Sequence, residues 1–416
     1  MGNNIEITVT GIVIDEIEGL LIDDIREFCL ENMLRILSIE LFEDEGVEIK
    51  ISIWNSASLI FFIYFDNDCY IKCNTSKFGP GYHKLALSKI EQLCERFLTN
   101  YDIQDPTSYY FHEDFKQLQN YFKEYAKGQL EILKPKIKKY KKGYFDKSHW
   151  NFLPILNENE IATPIGIKHI NDFFDDQLNI KEVKIENIFP WNNFEFDLQD
   201  IYNKALFNIW NFWTTYRKTT MLERWSQFES VFHIERLAEI TEEKRYLSLP
   251  KLIYKNIKDK KWEKDDDQVL EKIIDNNLYD SYLMRNSLVN LGKLQIPFPS
   301  YYSNWEFVDN TLVLKNRSHS EKCNPTMVIT NLKQHNFVKL NEQIQKGFKT
   351  IDDIKEKNFF LNAKFKKIWT NRYQIIGIFS HNSAYYEFNI TNSSKKNILR
   401  EWQGIKTDLQ KLYQIM

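Results

Sequence analysis

Glycine is scarce in this chain: 13 of 416 residues, well under the ~7% of average composition. Proline contributes 10 residues and cysteine five. The cysteines are Cys29, Cys69, Cys73, Cys94 and Cys323. An odd number at irregular spacing does not make a secreted disulfide framework. Cys69 and Cys73 share one face of a strand pattern, but only His83 lies nearby as a further zinc ligand, so no metal site is expected. Long apolar runs are also missing. The longest, Leu59–Phe65, is far short of the ~20 residues that cross a bilayer. The first residues, Met-Gly-Asn-Asn, lack the charged and apolar regions of a leader. Glu6 occupies the position where a myristoylation signal carries Ser or Thr. Charge of one sign is lacking too: 55 basic residues face 58 acidic ones, for a net −3. A wholly basic nucleic-acid binder is therefore excluded, though a local basic patch is not. These absences together lead us to expect a cytoplasmic protein with no membrane partner.

What the chain has in quantity is aromatic surface: 30 Phe, 22 Tyr and 10 Trp. Each buried ring covers ~150–250 Å², enough to build large cores and to argue against long disorder. Lys, Asn, Ile, Phe and Tyr are favoured over Gly, Ala and Pro. Their codons are AT-rich, which points to a bacterial source.

The hydrophobic pattern predicts an α+β, multidomain chain. Its expected parts are an N-terminal mixed sheet with helices, an aromatic-rich helical middle and a C-terminal α+β segment. Residues 1–104 alternate as strands over Ile5–Val13, Val47–Ile53, Leu59–Phe65 and Cys69–Cys73. Helical spacing spans Asp15–Leu37 and Lys84–Leu98. Four or five strands covered by two helices fit this order. Residues 105–149 read as a helix through Phe115, Leu118, Phe122 and Tyr125, then a basic linker in which Pro135 should end or kink the helix. Residues 150–300 read as mainly helical, with a stripe of Phe207, Trp210, Trp213, Trp225, Phe228 and Phe232 taken as core. Further helices are expected at Leu249–Lys258 and Asp266–Asn277. Residues 301–416 return to strands, with a hairpin at Ser380–Ser383 and a terminal helix over Lys395–Tyr413.

Two segments carry candidate chemistry. Phe78-Gly-Pro-Gly-Tyr-His-Lys84 holds the one pair of glycines set close together, between a strand and a helix. A glycine turn opening a helix can hold an anion or nucleotide through Gly79, Gly81, His83 and Lys84. The plain alternative is a sharp turn. The segment lacks the spacing of a Walker loop and the third glycine of a dinucleotide fingerprint. The second segment is Lys134, Lys136, Lys138, Lys139, Lys141 and Lys142, interleaved with Tyr140 and Tyr144. From 127 to 148, eight lysines face only Glu131 and Asp146. Such a run neutralises phosphates while aromatics stack on bases; the plain alternative is a solvated face.

Other matches are thinner. Glu48-Ile-Lys50 after Glu43 and Asp44, and Glu182-Val-Lys184 after Asp172, Asp175 and Asp176, resemble the carboxylates and lysine of a metal-dependent nuclease. Asp265–Asp267 fits a helix start rather than a calcium loop. A G-x-S-x-G elbow is missing, and Ser318–Cys323 is a polar loop. Lacking a complete catalytic motif, the chain is expected to bind rather than catalyse, with no cofactor. The leading expectation is a bacterial macromolecule-binding protein whose partner is another protein, of the kind found as immunity or phage-defence accessories. A nucleic-acid-binding protein or nuclease is the alternative, and a nucleotide- or anion-binding protein the weaker one.

Overall fold

A computed structural model describes residues 4–14, 19–43, 45–54, 57–147, 153–212, 232, 237, 239–241, 285–291, 294–299, 304–308, 311–315, 326–332, 349–355, 359–369, 372–381, 384–392 and 395–413. The architecture is α+β and multidomain. Contacts divide the chain into two units, the first from residues 1–149, 156–208 and 229–250, the second from the remainder. Among the described residues no helix is long and apolar enough to cross a membrane.

The first unit opens with β1 (Glu6–Val13), α1 (Gly19–Glu31), β2 (Arg35–Phe42), β3 (Gly46–Trp54), β4 (Ala57–Tyr64), β5 (Asp68–Asn74), α2 (Pro80–Phe97) and β6 (Leu98–Gln104). Its six strands run in the order β2-β3-β4-β5-β1-β6, every pair antiparallel. Val47, Ile49, Ile51, Leu59, Phe61, Ile63, Ile71 and Cys73 are buried, while Glu48, Lys50, Ile60 and Lys72 stay at least partly accessible. That alternation follows from successive side chains pointing to opposite faces. The apolar run at β4 is an interior strand, as its composition predicts.

Two boundaries differ from the periodicity. The helix expected to reach Leu37 stops at Glu31. Met33 adopts φ +54, and Leu34 N–H donates to Cys29 O at 2.7 Å. This left-handed cap satisfies a terminal carbonyl and releases Arg35 onward into a strand. At the other edge, α2 ends in Leu98 at φ −118, ψ 147, and the chain passes directly into β6. The sheet thus has six strands where four or five were expected.

Next come α3 (Tyr109–His112), α4 (Phe115–Tyr140) and β7 (Lys142–Tyr144). Asp114 caps α4 by accepting from Gln117 N–H at 3.0 Å. Leu118, Phe122, Ala126, Leu130, Leu133 and Ile137 form its buried stripe. Contrary to the expected break, α4 continues through Pro135. Pro135 and Glu131, whose carbonyl loses its helical donor, both lie on the exposed face. Water can replace that bond there, whereas a buried carbonyl would be orphaned.

After β8 (Leu153–Pro154), which counts with the second unit, β9 (Glu160–Thr163) and β10 (Gly166–His169) make a small sheet in the order β10-β9-β7. Short 3-10 turns follow at Ile170–Asp172 and Ile185–Asn187. Phe145, Phe174 and Phe189 join the stripe of α4 in one core. α5 (Leu198–Phe212) is the helix of the middle region that is described in full, and Phe207 and Trp210 are buried as expected, whereas Phe232, taken as core with them, is exposed. Trp213, Trp225, Phe228 and the helices expected at 249–258 and 266–277 lie outside the described residues.

In the second unit, β11 (Asn286–Leu291) pairs with β8 and with β12 (Leu294–Pro299). Pro297 and Pro299 fall on β12, an edge strand, where a missing N–H is tolerated. A seven-stranded antiparallel sheet follows. It comprises β13 (Asn304–Val308), β14 (Thr311–Lys315), β15 (Thr326–Leu332), β16 (Lys349–Lys355), β17 (Phe359–Trp369), β18 (Arg372–His381) and β19 (Ala384–Asn392), in the order β13-β14-β15-β19-β18-β17-β16. The terminal helix α6 (Lys395–Tyr413) lays Ile398, Trp402, Ile405 and Leu409 on it. Trp402 stacks on Phe388 with centroids 4.9 Å apart. Its Nε1–H donates to Asp352 on β16 at 2.6 Å, and Lys406 donates to the same carboxylate.

Candidate functional site

Gly79 and Gly81 sit where the start of α2 meets the segment 189–193. Gly79 has φ +95, and a Cβ there would lie 2.3 Å from Trp191 O. A Cβ on Gly81 would lie 2.1 Å from the Trp191 indole. Gly81 N–H donates to Trp191 O at 3.2 Å, and Trp191 N–H donates to Phe78 O at 3.1 Å. The glycines therefore let two chain segments approach closely enough to exchange backbone bonds. Pro80 has no N–H to offer an anion. Lys84 Nζ donates to Phe194 O at 3.4 Å and lies over the Phe194 ring. Around this crossing, Trp54 packs against Phe78, Tyr82, Trp191, Phe196 and Phe207.

His83 turns the other way and is fully buried. Its Nδ1 is 2.8 Å from Thr75 Oγ1, and its Nε2 is 3.1 Å from Asp105 Oδ1 and 3.2 Å from Thr107 Oγ1. Thr75 Oγ1 also donates to Ile5 O at 3.2 Å, and Thr107 Oγ1 to Asp105 at 2.8 Å. Burial alone would raise the Asp105 carboxyl. The hydrogen bond and charge of His83, with the amides of Tyr110 and Thr107, outweigh it and hold the group at about 2. A carboxylate-oriented imidazole is what a general base uses. Here both ring nitrogens are occupied by protein groups away from solvent. The cluster therefore acts as a brace between the end of β5, the first turn of α2 and the end of β6. Thr75, Asp105 and Thr107 carry no local motif, and only the fold brings them to His83.

A second buried carboxylate, Asp200, closes the start of α5. It accepts from Asn192 N–H at 2.7 Å and Asn193 N–H at 3.3 Å, while its own N–H donates to Asp197 Oδ1 at 2.8 Å. Burial pushes its carboxyl up to about 6, against the lowering effect of those amides.

The lysine run occupies the end of α4 and its cap. Lys136, Lys138, Lys139 and Lys141 are exposed, and Lys134 and Lys142 are half-buried. Lys142 Nζ donates to Leu156 O at 3.2 Å, and Lys141 lies 3.9 Å from Glu158. Cations at a helix C-terminus complement its dipole.

The two nuclease-like matches lie apart in the fold. Glu48 and Lys50 are on the partly accessible face of β3. Glu182 pairs with Lys123 at 3.3 Å, and Lys184 precedes a 3-10 turn. Asp172 accepts from His169 N–H, and Asp175 from Gln177 and Asn179 N–H. Among the described residues no group of three His, Cys, Asp or Glu could hold a metal ion. Burial pushes the Cys69 and Cys73 thiols up to about 12, away from the thiolate a metal requires. Asp265–Asp267 and Ser318–Cys323 lie outside the described residues.

Sequence reasoning missed the edge strand β2. Met33, just before it, is 93% exposed, and Leu41 and Phe42 at its end are 67% and 40% exposed. The usable signal was the alternation of Ile39 and Leu41 with Ser38 and Glu40, interrupted on its N-terminal side by the extra residue of a register shift between Ile36 and Ser38. Comparison with known protein families and with curated proteins gives no match.

Proposed function

We propose that this chain is a macromolecule-binding protein whose partner is another protein. The observation that supports this reading is the β2 edge. Among the described residues one side of β2 is unpaired, and exposed Leu30, Met33, Leu41 and Phe42 lie on the strand or close before it in the chain. Single exposed apolar residues are ordinary, but an open strand edge carrying several is a template for another chain. Native mass spectrometry of gently purified protein, with an absorbance spectrum, tests the reading. Retained protein mass supports it. A bare monomer at every concentration counts against it.

Nucleic acid is the second reading, favoured by the exposed lysines at the end of α4. It requires binding that weakens steeply with salt and is lost when Lys136, Lys138, Lys139 and Lys141 are changed to Glu. Salt-insensitive binding, or none, removes it.

A further inference from the structure

The two edges of the six-stranded sheet are unlike. The β6 edge carries Thr99, Asn100, Asp102 and Gln104, and its register shifts opposite Thr10–Ile12. Both edge strands carry a register shift, so the difference lies in the polar residues of β6, which blunt an edge against pairing. The β2 edge reads Arg35-Ile-Leu-Ser-Ile-Glu-Leu-Phe42.

The shift in β2 falls between Ile36 and Ser38. In a regular strand Arg35 and Glu40 would point to opposite faces. With the shift, Arg35 stands opposite Ser52 and Glu40 opposite Glu48 on β3. Ser52 and Glu48 share a face, so Arg35 and Glu40 do as well. By the same count, Ile36 and Ile39, opposite Ile51 and Ile49, share the core face.

Glu40 and Glu48 are like charges directly opposed across the two strands, an unfavourable pair. Among the described residues no ion pair includes Arg35, Glu40 or Glu48. The strand thus holds an exposed arginine and an exposed, uncompensated carboxylate on one face, on either side of its shift.

We propose that β2 pairs antiparallel with β2 of a second copy of this chain, about a two-fold axis between Leu37 and Ser38. This rests on the reading of the chain as an interaction protein and names its partner. The register sets Arg35 opposite Glu40 of the second copy and Glu40 opposite its Arg35, while Ile36 meets Ile39. Each arginine then lies beside the other copy's Glu40–Glu48 pair and offsets its repulsion. Side-chain face and amide direction alternate together along a strand, so paired residues that share a face also direct their N–H groups consistently. A two-fold contact must be self-complementary, and this placement of Arg and Glu meets that condition. One antiparallel sheet runs through both copies, leaving only the blunted β6 edges free.

The test is sedimentation velocity over a wide protein concentration range, with native mass spectrometry on the same samples. The wild type self-associates into a dimer. Arg35→Glu and Glu40→Arg each weaken that dimer by at least ~10-fold, because both symmetry-related pairs turn repulsive. The double variant restores it with the charges exchanged. Both side chains are exposed, and circular dichroism checks that each variant folds. A wild type that stays monomeric overturns the proposal, as does a dimer indifferent to both reversals or a double variant that fails to recover. If the monomer instead retains a different protein, self-pairing falls while the broader reading stands. If it retains none, both fall.

Discussion

His83 and Asp105 meet at 3.1 Å with both side chains out of solvent. The contact joins the first turn of α2 to the chain just beyond β6, and Thr75 and Thr107 satisfy the remaining polar positions. Removing one partner of such a pair leaves the other buried and uncompensated. Asp105→Ala should therefore cost about 3–5 kcal/mol of stability, read by urea unfolding at neutral pH. The Asp105 carboxyl is held below its unfolded value, at about 2 against 3.8. Its contribution is full above pH ~4 and is lost as pH falls toward ~2. Asp105→Asn should flatten that part of the acid-unfolding curve. An unchanged curve would mean that the pair does not set it.

Asp200 has the opposite sign. Its folded carboxyl titrates at about 6, above the ordinary 3.8. The favourable contribution is present below pH ~4 and is lost as pH rises through ~6, since the native state holds the proton more tightly than the unfolded chain. The size is roughly 1–3 kcal/mol. Urea unfolding at steps from pH 4 to pH 7 should show the wild type losing stability relative to Asp200→Asn. Parallel curves would show that the amides of Asn192 and Asn193 fully compensate the buried charge.

Gly79 and Gly81 differ in what a methyl group meets. At Gly79 the clash is with a backbone oxygen and φ is positive. At Gly81 it is with the Trp191 indole and, at 2.6 Å, with the backbone oxygen of Asn193, but φ there is not in the left-handed region. Gly79→Ala should cost more than Gly81→Ala, roughly 2–4 kcal/mol against 1–3. Thermal unfolding gives the order. Gly81→Ala should also move the tryptophan emission, because Trp191 is displaced. Equal costs would mean that the positive φ at Gly79 adds nothing to the clash.

The positions of β1, β3 and β5 were legible because their residues follow a period of two, and β4 because its apolar run is continuous. β3 is the clearest case, with Val47, Ile49 and Ile51 inward and Glu48 and Lys50 outward. The terminal helix was legible for the same kind of reason: Ile398, Trp402, Ile405 and Leu409 repeat at helical spacing and form its buried stripe. β2 was hidden because its shift breaks the alternation between Ile36 and Ser38. The continuation of α4 past Pro135 was hidden because it depends on which face meets water.

Composition and periodicity by themselves determined the α+β class, the aromatic cores and the strands β1, β3, β4 and β5, since these depend on local spacing and on apolar area; β8–β12, within the stretch read as mainly helical, were not among them. Tertiary structure decided the use of individual residues. It placed Trp191 against Gly79 and Gly81, enclosed His83 with Asp105, and left β2 at an edge with Arg35 and Glu40 on one face. Each of these depends on segments distant in sequence meeting in space, and local pattern carries no record of which distant segment arrives.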